Sequence, residues 1–294
     1  MIEQLKQYIE EQHIIFLPKD INFIKDSIVH TFKNIILINK EKAEIEITDI
    51  INNSNLKKIY LIGYNEIYNF ILPRLKKEIE VCWIFNNSFS NLSNYNVRLE
   101  LHYIFEYYDR NLIKTIGCMN KDNYEVFKNA GYNCEYIELK IDNNIKKSKK
   151  SNTIGLLSKD FDPNNNFYNQ LAALTFIEYD YCKINYTLKT TKEFLNFFNI
   201  KYKKETELDN IIKDNFVNLY INFTNTNNEL IYKSFNVGVP CIIGNSNIFD
   251  KNKYLKEHLV LKSDDDINEI VSKIEYVKSN KEKIINEYKK MISN

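Results

Sequence analysis

The chain is punctuated by short apolar runs in which polar residues do not alternate: HIIFLP (13–18), NIILIN (34–39), KIYLIG (58–63), VCWIF (81–85), KTIGCM (114–119), NTIGLLS (152–158), YCKINY (181–186), LYINF (219–223), VPCII (239–243) and HLVLK (258–262). A strand with one wet face alternates polar and apolar residues, whereas a strand covered on both faces does not, so these runs read as parallel strands under helices. Stretches of helical period lie between them: 21–32, 65–77 (with Pro73 forcing a kink or an early end), 98–113, 121–131 and 166–176. Near the end Ile267, Ile270, Val271, Ile274 and Val277 share one helix face, and Ser263 with Asp264, Asp265 and Asp266 supplies its cap. Strand and helix alternate throughout, which means α/β architecture. Length alone leaves an eightfold barrel open.

The segment KIDNNIKKSKKSN (140–152) has almost no apolar residue and reads as a linker, since a solvated charge run builds no core. It divides the chain into domains at 1–145 and 152–294, with the last helix a candidate for packing back on the first half. Apolar residues make up 44% of the 294, enough for two cores. Lys and Arg number 40 against 39 Asp and Glu, so no basic excess marks a nucleic-acid footprint. The acidic start MIEQLKQYIEEQ is no secretory leader, and no apolar stretch approaches the ~18 residues of a spanning helix. A cytoplasmic protein, with at most peripheral membrane contact, is expected. Its five cysteines and four histidines are dispersed, with no CxxC or HExxH spacing, so free thiols and no metal are expected.

Open parallel sheets bind ligands where strands end, so the exit loops hold the candidates. In GLLSKDFDPNNNFYNQL (155–171) a strand ends near Ser158 and a helix opens near Asn166; Ser158, Lys159 and Asn166 are placed to meet a phosphate at free helix amides. An ordinary strand-to-helix turn explains the same residues. In LYINFTNTNNELIYKSFNVGVPCIIGN the strand gives way to a loop with Thr224, Asn225 and Thr226, then a helix carrying Glu229, Lys233 and Ser234. Gly238 stops that helix as a left-handed cap, and Pro240 opens the next strand. The hydroxyls and amides can bind sugar or phosphate, or can simply cap the helix.

Polar loop, short helix, GVP, apolar strand and GN, in that order, resemble the donor-binding region of GT-B glycosyltransferases. SFNVGVPCIIGN is similar to the ES-x-x-x-GVPC-x-x-GN wording of some bacterial surface-glycan, family 4-like members. GLLSKDFDPNNNFYNQLAAL resembles the first strand-loop-helix of that family's C-terminal domain, and YLKEHLVLKSDDDINEIVSKIEYV its closing strand and helix. LIKTIGCMNKDNYEVFKNAGYNCEYIEL resembles the end of the N-terminal domain. The resemblance implies two Rossmann-like domains facing a cleft, a nucleotide-sugar as substrate, no metal and no other cofactor. Many retaining members carry E-x7-E before G-x-P; here Asn225 and Lys233 occupy the two acidic positions. An ammonium donates only, so Lys233 cannot accept from ribose hydroxyls, and Glu229 one turn earlier is placed to pair with it.

The acceptor would meet the first half, at Tyr64 and Asn65 after YLIG, Asn87 and Ser88 after WIF, and Arg98. His102 and Glu106, four apart on one helix face, are the candidate catalytic base pair. The resulting expectation is a metal-independent transferase moving a sugar from a nucleotide-diphosphate donor to a glycan, lipid-linked or protein acceptor. Loss of both acids suggests the alternative, an inactive GT-B-like subunit or sugar-binding partner of an active transferase. A sugar-nucleotide epimerase of the same architecture stays open.

Overall fold

The computed structural model describes residues 5, 11, 13–18, 34–38, 44–137, 145–146, 149, 151–158, 160, 165–223 and 228–293. The chain forms two compact units, Met1–Lys140 and Ile141–Asn294, each built on a wholly parallel sheet.

In the first unit the elements run β1 (His13–Pro18), β2 (Ile35–Ile38), α1 (Glu44–Asn52), β3 (Lys58–Ile62), α2 (Ile67–Ile71), β4 (Glu80–Phe85), α3 (Tyr95–Asp109), β5 (Thr115–Cys118), α4 (Lys121–Asn129) and β6 (Cys134–Tyr136). The strands lie in the order β2-β1-β3-β4-β5-β6. From β2 onward each right-handed crossover places its helix on the same face. Accordingly Ile47 and Ile51 of α1, Tyr68 and Ile71 of α2, Leu101 and Ile104 of α3 and Phe127 of α4 share one core with Trp83 and Phe85. Ile14 and Phe16 point into that core, while their neighbours Ile15 and Leu17 point to the opposite face with Ile62, Cys82 and Ile84. Burial on both faces is why the strand sequences do not alternate.

The second unit runs β7 (Ile154–Leu156), α5 (Phe167–Leu174), β8 (Cys182–Ile184), α6 (Lys189–Phe197), β9 (Tyr202–Lys204), α7 (Leu208–Ile212), β10 (Val217–Tyr220), α8 (Asn228–Asn236), β11 (Cys241–Ile243), α9 (Lys253–Leu259) and α10 (Ile267–Ser293). Its strand order is β11-β10-β7-β8-β9. Chain order reverses at the β7–β10 pair, the switch point of a Rossmann sheet. Gly155 is what lets this pair close up: a Cβ there would fall 2.2 Å from Asn218 Oδ1 and 2.6 Å from the Ile211 carbonyl. Ile270, Ile274, Val277, Ile284 and Tyr288 of α10 all join the core of this unit.

Some boundaries differ from expectation. HLVLK is not a strand: His258 and Leu259 end α9, and Val260 makes only an isolated bridge to Ile243. The helix expected over 65–77 stops at Ile71, because Pro73 tightens the next turn to 3-10 and Leu75 is extended. The helix expected from 98 begins at Tyr95, where Asn94 Oδ1 accepts from the Asn96 amide at 2.9 Å. The cap of α10 is Asp266, which accepts from the Glu269 amide at 3.1 Å; Ser263 instead donates to Asp265. The helix expected at 21–32 lies outside the described residues. Gly238 does adopt φ +73, and Val239 N closes on the Ser234 carbonyl at 3.0 Å, ending α8 as the sequence predicts. Among the described residues no helix is long and apolar enough to cross a membrane.

Candidate functional site

At the carboxyl edge of the second sheet, the exits of β7 and β10 are joined by a buried polar cluster. Ser158 Oγ donates to Asn222 Oδ1 at 3.1 Å and accepts from Gln170 Nε2 at 3.0 Å. Gln170 Nε2 also reaches the carbonyls of Asn165 (2.9 Å) and Ile221 (3.1 Å), tying the start of α5 to the end of β10. Ser158, Gln170 and Asn222 are all buried. Asn222 Nδ2 has no hydrogen-bond partner among the described residues, a donor left over in a place where donors are costly to strand.

The β11 exit closes the same edge. Gly244 lies so close to the Asn222 carbonyl that a Cβ would stand 2.5 Å from it. The Asn245 amide donates to Asp264 Oδ1 at 2.6 Å, and Asn166 Nδ2 donates to the Asp264 carbonyl. Burial pushes the Asp264 carboxyl above its usual range, against the pull of the Asn245 amide. Asn166 itself stands in the left-handed region (φ +46) immediately before α5.

Asp160 anchors the loop leaving β7. It accepts from the amides of Thr187 (2.9 Å) and Leu188 (2.8 Å) and from the hydroxyls of Thr187 (3.0 Å) and Thr191 (2.8 Å) at the start of α6. Burial works to raise its pKa, but these four donors outweigh it and hold the carboxyl below the usual range.

Of the donor-side candidates, the structure brings Ser158 and Asn166 to this edge. Glu229, in the first turn of α8, is 2% exposed and pairs with Lys233 Nζ at 3.2 Å, as the i, i+4 spacing predicts. Ser234 is fully buried: its Oγ donates to the Val239 carbonyl at 2.7 Å and accepts from Asn218 Nδ2 at 2.8 Å, so it braces the GVP turn from inside the core. Lys159, Thr224, Asn225 and Thr226 lie outside the described residues. Sequence reasoning did not place Asn222 or Gln170 at the site, and read Asp264 only as part of a helix cap. Asn222 had a signal, being the polar residue that ends an otherwise apolar strand run; the abundance of Asn in the chain hid it.

The acceptor-side candidates follow the first sheet. Tyr64 and Asn65 leave β3 and Asn87 and Ser88 leave β4, all at the carboxyl edge. Tyr64 stacks on Tyr103 with centroids 4.9 Å apart and accepts from Asn69 Nδ2 at 3.0 Å. Asn65 Oδ1 accepts from the Ile67 amide at 3.1 Å, starting α2. Arg98 holds the carbonyls of Leu92 (2.7 Å) and Ser93 (2.9 Å). Ser88 is buried, and its carbonyl accepts from the Asn91 amide at 2.9 Å. Asn87 Nδ2 donates to Glu100 Oε2 at 2.6 Å, and its carbonyl accepts from Asn123 Nδ2 at 2.5 Å.

His102 and Glu106 are 3.7 Å apart, but both face outward, and Glu106 is held by Arg110 at 2.8 Å. The helix runs from the carboxyl edge toward the amino edge at ~1.5 Å per residue, which carries Glu106 roughly 16 Å from its start. Glu100, unmentioned by the motif reading, is the carboxyl near the edge. It is 1% exposed, and burial pushes its pKa up to about 8. Among the described residues no three His, Cys, Asp or Glu gather as a metal site would require.

No protein-family model matches the chain, and no curated protein matches it. Solved structures do. A glycosyltransferase from Rickettsia africae aligns with a TM-score of 0.65 at 10% identity, covering 97% of this chain and 94% of that one. Sucrose-phosphate synthase from Thermosynechococcus elongatus aligns with a TM-score of 0.61 at 8% identity, covering 90% and 77%. The pneumococcal O-GlcNAc transferase GtfA, solved with UDP and GlcNAc, aligns with a TM-score of 0.59 at 11% identity over 81% of this chain. The chain spans 54% of that enzyme's length. With two parallel Rossmann-like sheets and this likeness along nearly its whole length, the chain has the fold of the GT-B glycosyltransferases.

Proposed function

We propose that the chain is a glycosyltransferase that takes a sugar from a nucleoside-diphosphate donor held at the carboxyl edge of β7 and β10. The observation that carries this is the buried Asn222 amide, without a hydrogen-bond partner among the described residues, at the switch point of the second sheet beside the start of α5. Helix amides and Lys233 would neutralise the departing diphosphate without a metal, as the family resemblance implies. The UDP held by the pneumococcal O-GlcNAc transferase, and the likeness to a sucrose-phosphate synthase, support a nucleotide-sugar substrate. A glycan, lipid-linked or protein acceptor would meet the carboxyl edge of the first sheet, and a cytoplasmic location with peripheral membrane contact suits such chemistry.

The test is a thermal-shift and hydrolysis screen against UDP-, GDP-, TDP- and CMP-sugars. Stabilisation by one nucleotide class, weakened by Asn222→Ala, with slow sugar release, is the expected result. No binding to any of them refutes the proposal. The second reading, an inactive GT-B-like subunit or sugar-binding partner, draws on Lys233 being engaged by Glu229 where the family carries an acid. It predicts nucleotide binding without turnover, or no nucleotide binding at all.

A further inference from the structure

In the first unit, the exit of β4 is sewn to two helices through one side chain. Asn87 Nδ2 donates to Glu100 Oε2 of α3 at 2.6 Å and to Asn86 Oδ1 at 3.3 Å. The Asn87 carbonyl accepts from Asn123 Nδ2 of α4 at 2.5 Å, and Asn123 and Ser88 are both buried. The chain turns at once after Ser88. The Asn91 amide returns to the Ser88 carbonyl at 2.9 Å and the Leu92 amide to the Phe89 carbonyl at 3.3 Å, and Arg98 holds the carbonyls of Leu92 and Ser93. The exit is therefore a run of short turns whose buried end hangs on the Glu100 carboxyl.

Two buried polar atoms at that carboxyl have no hydrogen-bond partner among the described residues: Glu100 Oε1 and Trp83 Nε1. The indole lies beside the carboxyl but outside hydrogen-bonding geometry. A buried acceptor and a buried donor left unjoined side by side are costly, since each has given up water for nothing. Protonation accounts for the arrangement. Oε2 accepts from Asn87, so a neutral carboxyl carries its proton on Oε1, and an O–H facing an indole N–H is donor against donor.

The groups around Glu100 leave its charge to be decided by solvent pH. Strand β4 contributes Trp83, its exit Asn87 and α4 Asn123, all without charge. Helix α2 contributes Tyr68, edge-on to Trp83 at 5.2 Å, whose hydroxyl points at the Phe16 and Ile62 carbonyls. Burial, and then the carboxyl itself, hold that phenol well above its ordinary range, so it stays neutral. Among the described residues no cation acts on Glu100, and burial pushes its pKa up to about 8. From this cluster we infer that Glu100 is a proton-operated switch for the β4 exit: giving its proton to solvent makes Oε1 an acceptor, and the carboxylate swings onto the Trp83 N–H. Oε2 keeps Asn87, so Asn87 is drawn along and the turns from Ser88 to Leu92 take a second position. The β4 exit lies at the carboxyl edge, where parallel sheets meet their ligands, so this edge responds to pH with no ligand present. Nothing in the switch depends on the donor edge of the second unit, and it stands or falls apart from nucleotide binding there.

The single tryptophan makes the test direct, because its indole N–H gives one resonance in a nitrogen-15 correlation spectrum. The full chain, with no ligand added, is titrated from about pH 6 to about pH 9.5. The indole proton should move downfield as its hydrogen bond forms, with one midpoint near the Glu100 value of about 8. The backbone amides of Asn87, Ser88 and Asn91 should move with the same midpoint. Glu100→Gln, whose amide N–H stands in for the acid O–H, should hold all four resonances at their low-pH positions. Asn87→Ala should leave the indole titrating while Asn91 no longer follows. An indole resonance that stays fixed over the range overturns the inference, as does one that moves while the loop amides stay still. Titration that survives Glu100→Gln assigns the proton to another group and overturns it too, and an Asn91 amide that still follows the indole in Asn87→Ala refutes transmission through Asn87. Should either variant fail to fold, the parent titration still decides, since coincident movement of indole and loop is read there.

Discussion

Replacing Glu100 by Gln should stabilise the protein, and by an amount that depends on pH in a calculable way. The carboxyl is buried between α3 and β4, with Asn87 Nδ2 on Oε2 and no hydrogen-bond partner for Oε1 among the described residues. Burial raises its pKa from 4.5 to about 8, against the Asn87 hydrogen bond and the nearby Trp83 indole, which stands outside hydrogen-bonding geometry. Between those values the folded state keeps a proton that the unfolded state has released. Stability therefore falls as pH rises through that window, by ~1.4 kcal/mol per pH unit, and levels off above the folded value. At pH 7 the cost is about 3 kcal/mol. Gln is neutral throughout and can still accept from Asn87. The difference between Gln and Glu should therefore be close to zero near pH 4.5 and grow to about 3 kcal/mol at pH 7. Urea unfolding followed by the single tryptophan, Trp83, at several pH values measures it. Parallel stability curves for the two proteins would show that Glu100 is solvated or ionised in the folded state, and the argument would fail.

Gly155→Ala should destabilise the second unit by roughly 4 kcal/mol or more, or prevent folding, since the new methyl meets Asn218, Asn215 and a backbone carbonyl at once; chemical denaturation reads it, and a loss under 1 kcal/mol would contradict the close approach. Asp160→Ala should cost about 3 kcal/mol at neutral pH by stranding two amides and two hydroxyls. Because the folded pKa lies below the ordinary 3.8, this contribution is present above that value and fades as pH falls through the lower one; an urea midpoint difference that persists unchanged into strong acid would refute the assignment. With a thiol reagent at pH 8, native protein should label first at Cys134, the half-buried thiol, while Cys82, Cys118, Cys182 and Cys241 wait for unfolding; rapid labelling of a second thiol counts against the packing described.

The architecture was legible because parallel strands advertise themselves. Ile14 to Leu17 are apolar at every position since alternate residues feed two different cores, and the same holds from Val81 to Phe85. What escaped was held by tertiary context. Strand β9 reads as Tyr, Lys and Lys because it is an edge with little face to bury. Helices α1, α6, α7 and α9 are short, and only tertiary packing makes such pieces stable. HLVLK misled because an apolar run of that length fits the last turn of a helix as well as a strand. At the site, Ser158 and Asn166 were visible because exit loops are where parallel sheets bind ligands. Gln170 was not: it sits on a helix, and only the fold turns its amide back toward Ile221. Glu100 was equally hidden, since nothing in RLELHYIFEYYDR says which of its acids faces inward.

That distinction matters most for Lys233. Glu229 is almost wholly buried, and its ion pair with Lys233 keeps that carboxylate tolerable. Lys233→Ala would therefore do two things at once: remove a cation from the proposed diphosphate site, and leave a buried anion unneutralised at a cost of about 3–5 kcal/mol. A drop in nucleotide affinity in that variant alone could come from partial unfolding. The double replacement Glu229→Gln with Lys233→Met removes both charges and should recover most of the lost stability, which a melting curve reads. If Lys233 also faces the diphosphate, the double variant will be stable and still bind UDP or GDP several-fold more weakly than the parent. If it binds them as tightly as the parent, the lysine serves only its glutamate, and charge at the donor edge must come from the helix amides and the loop after β10.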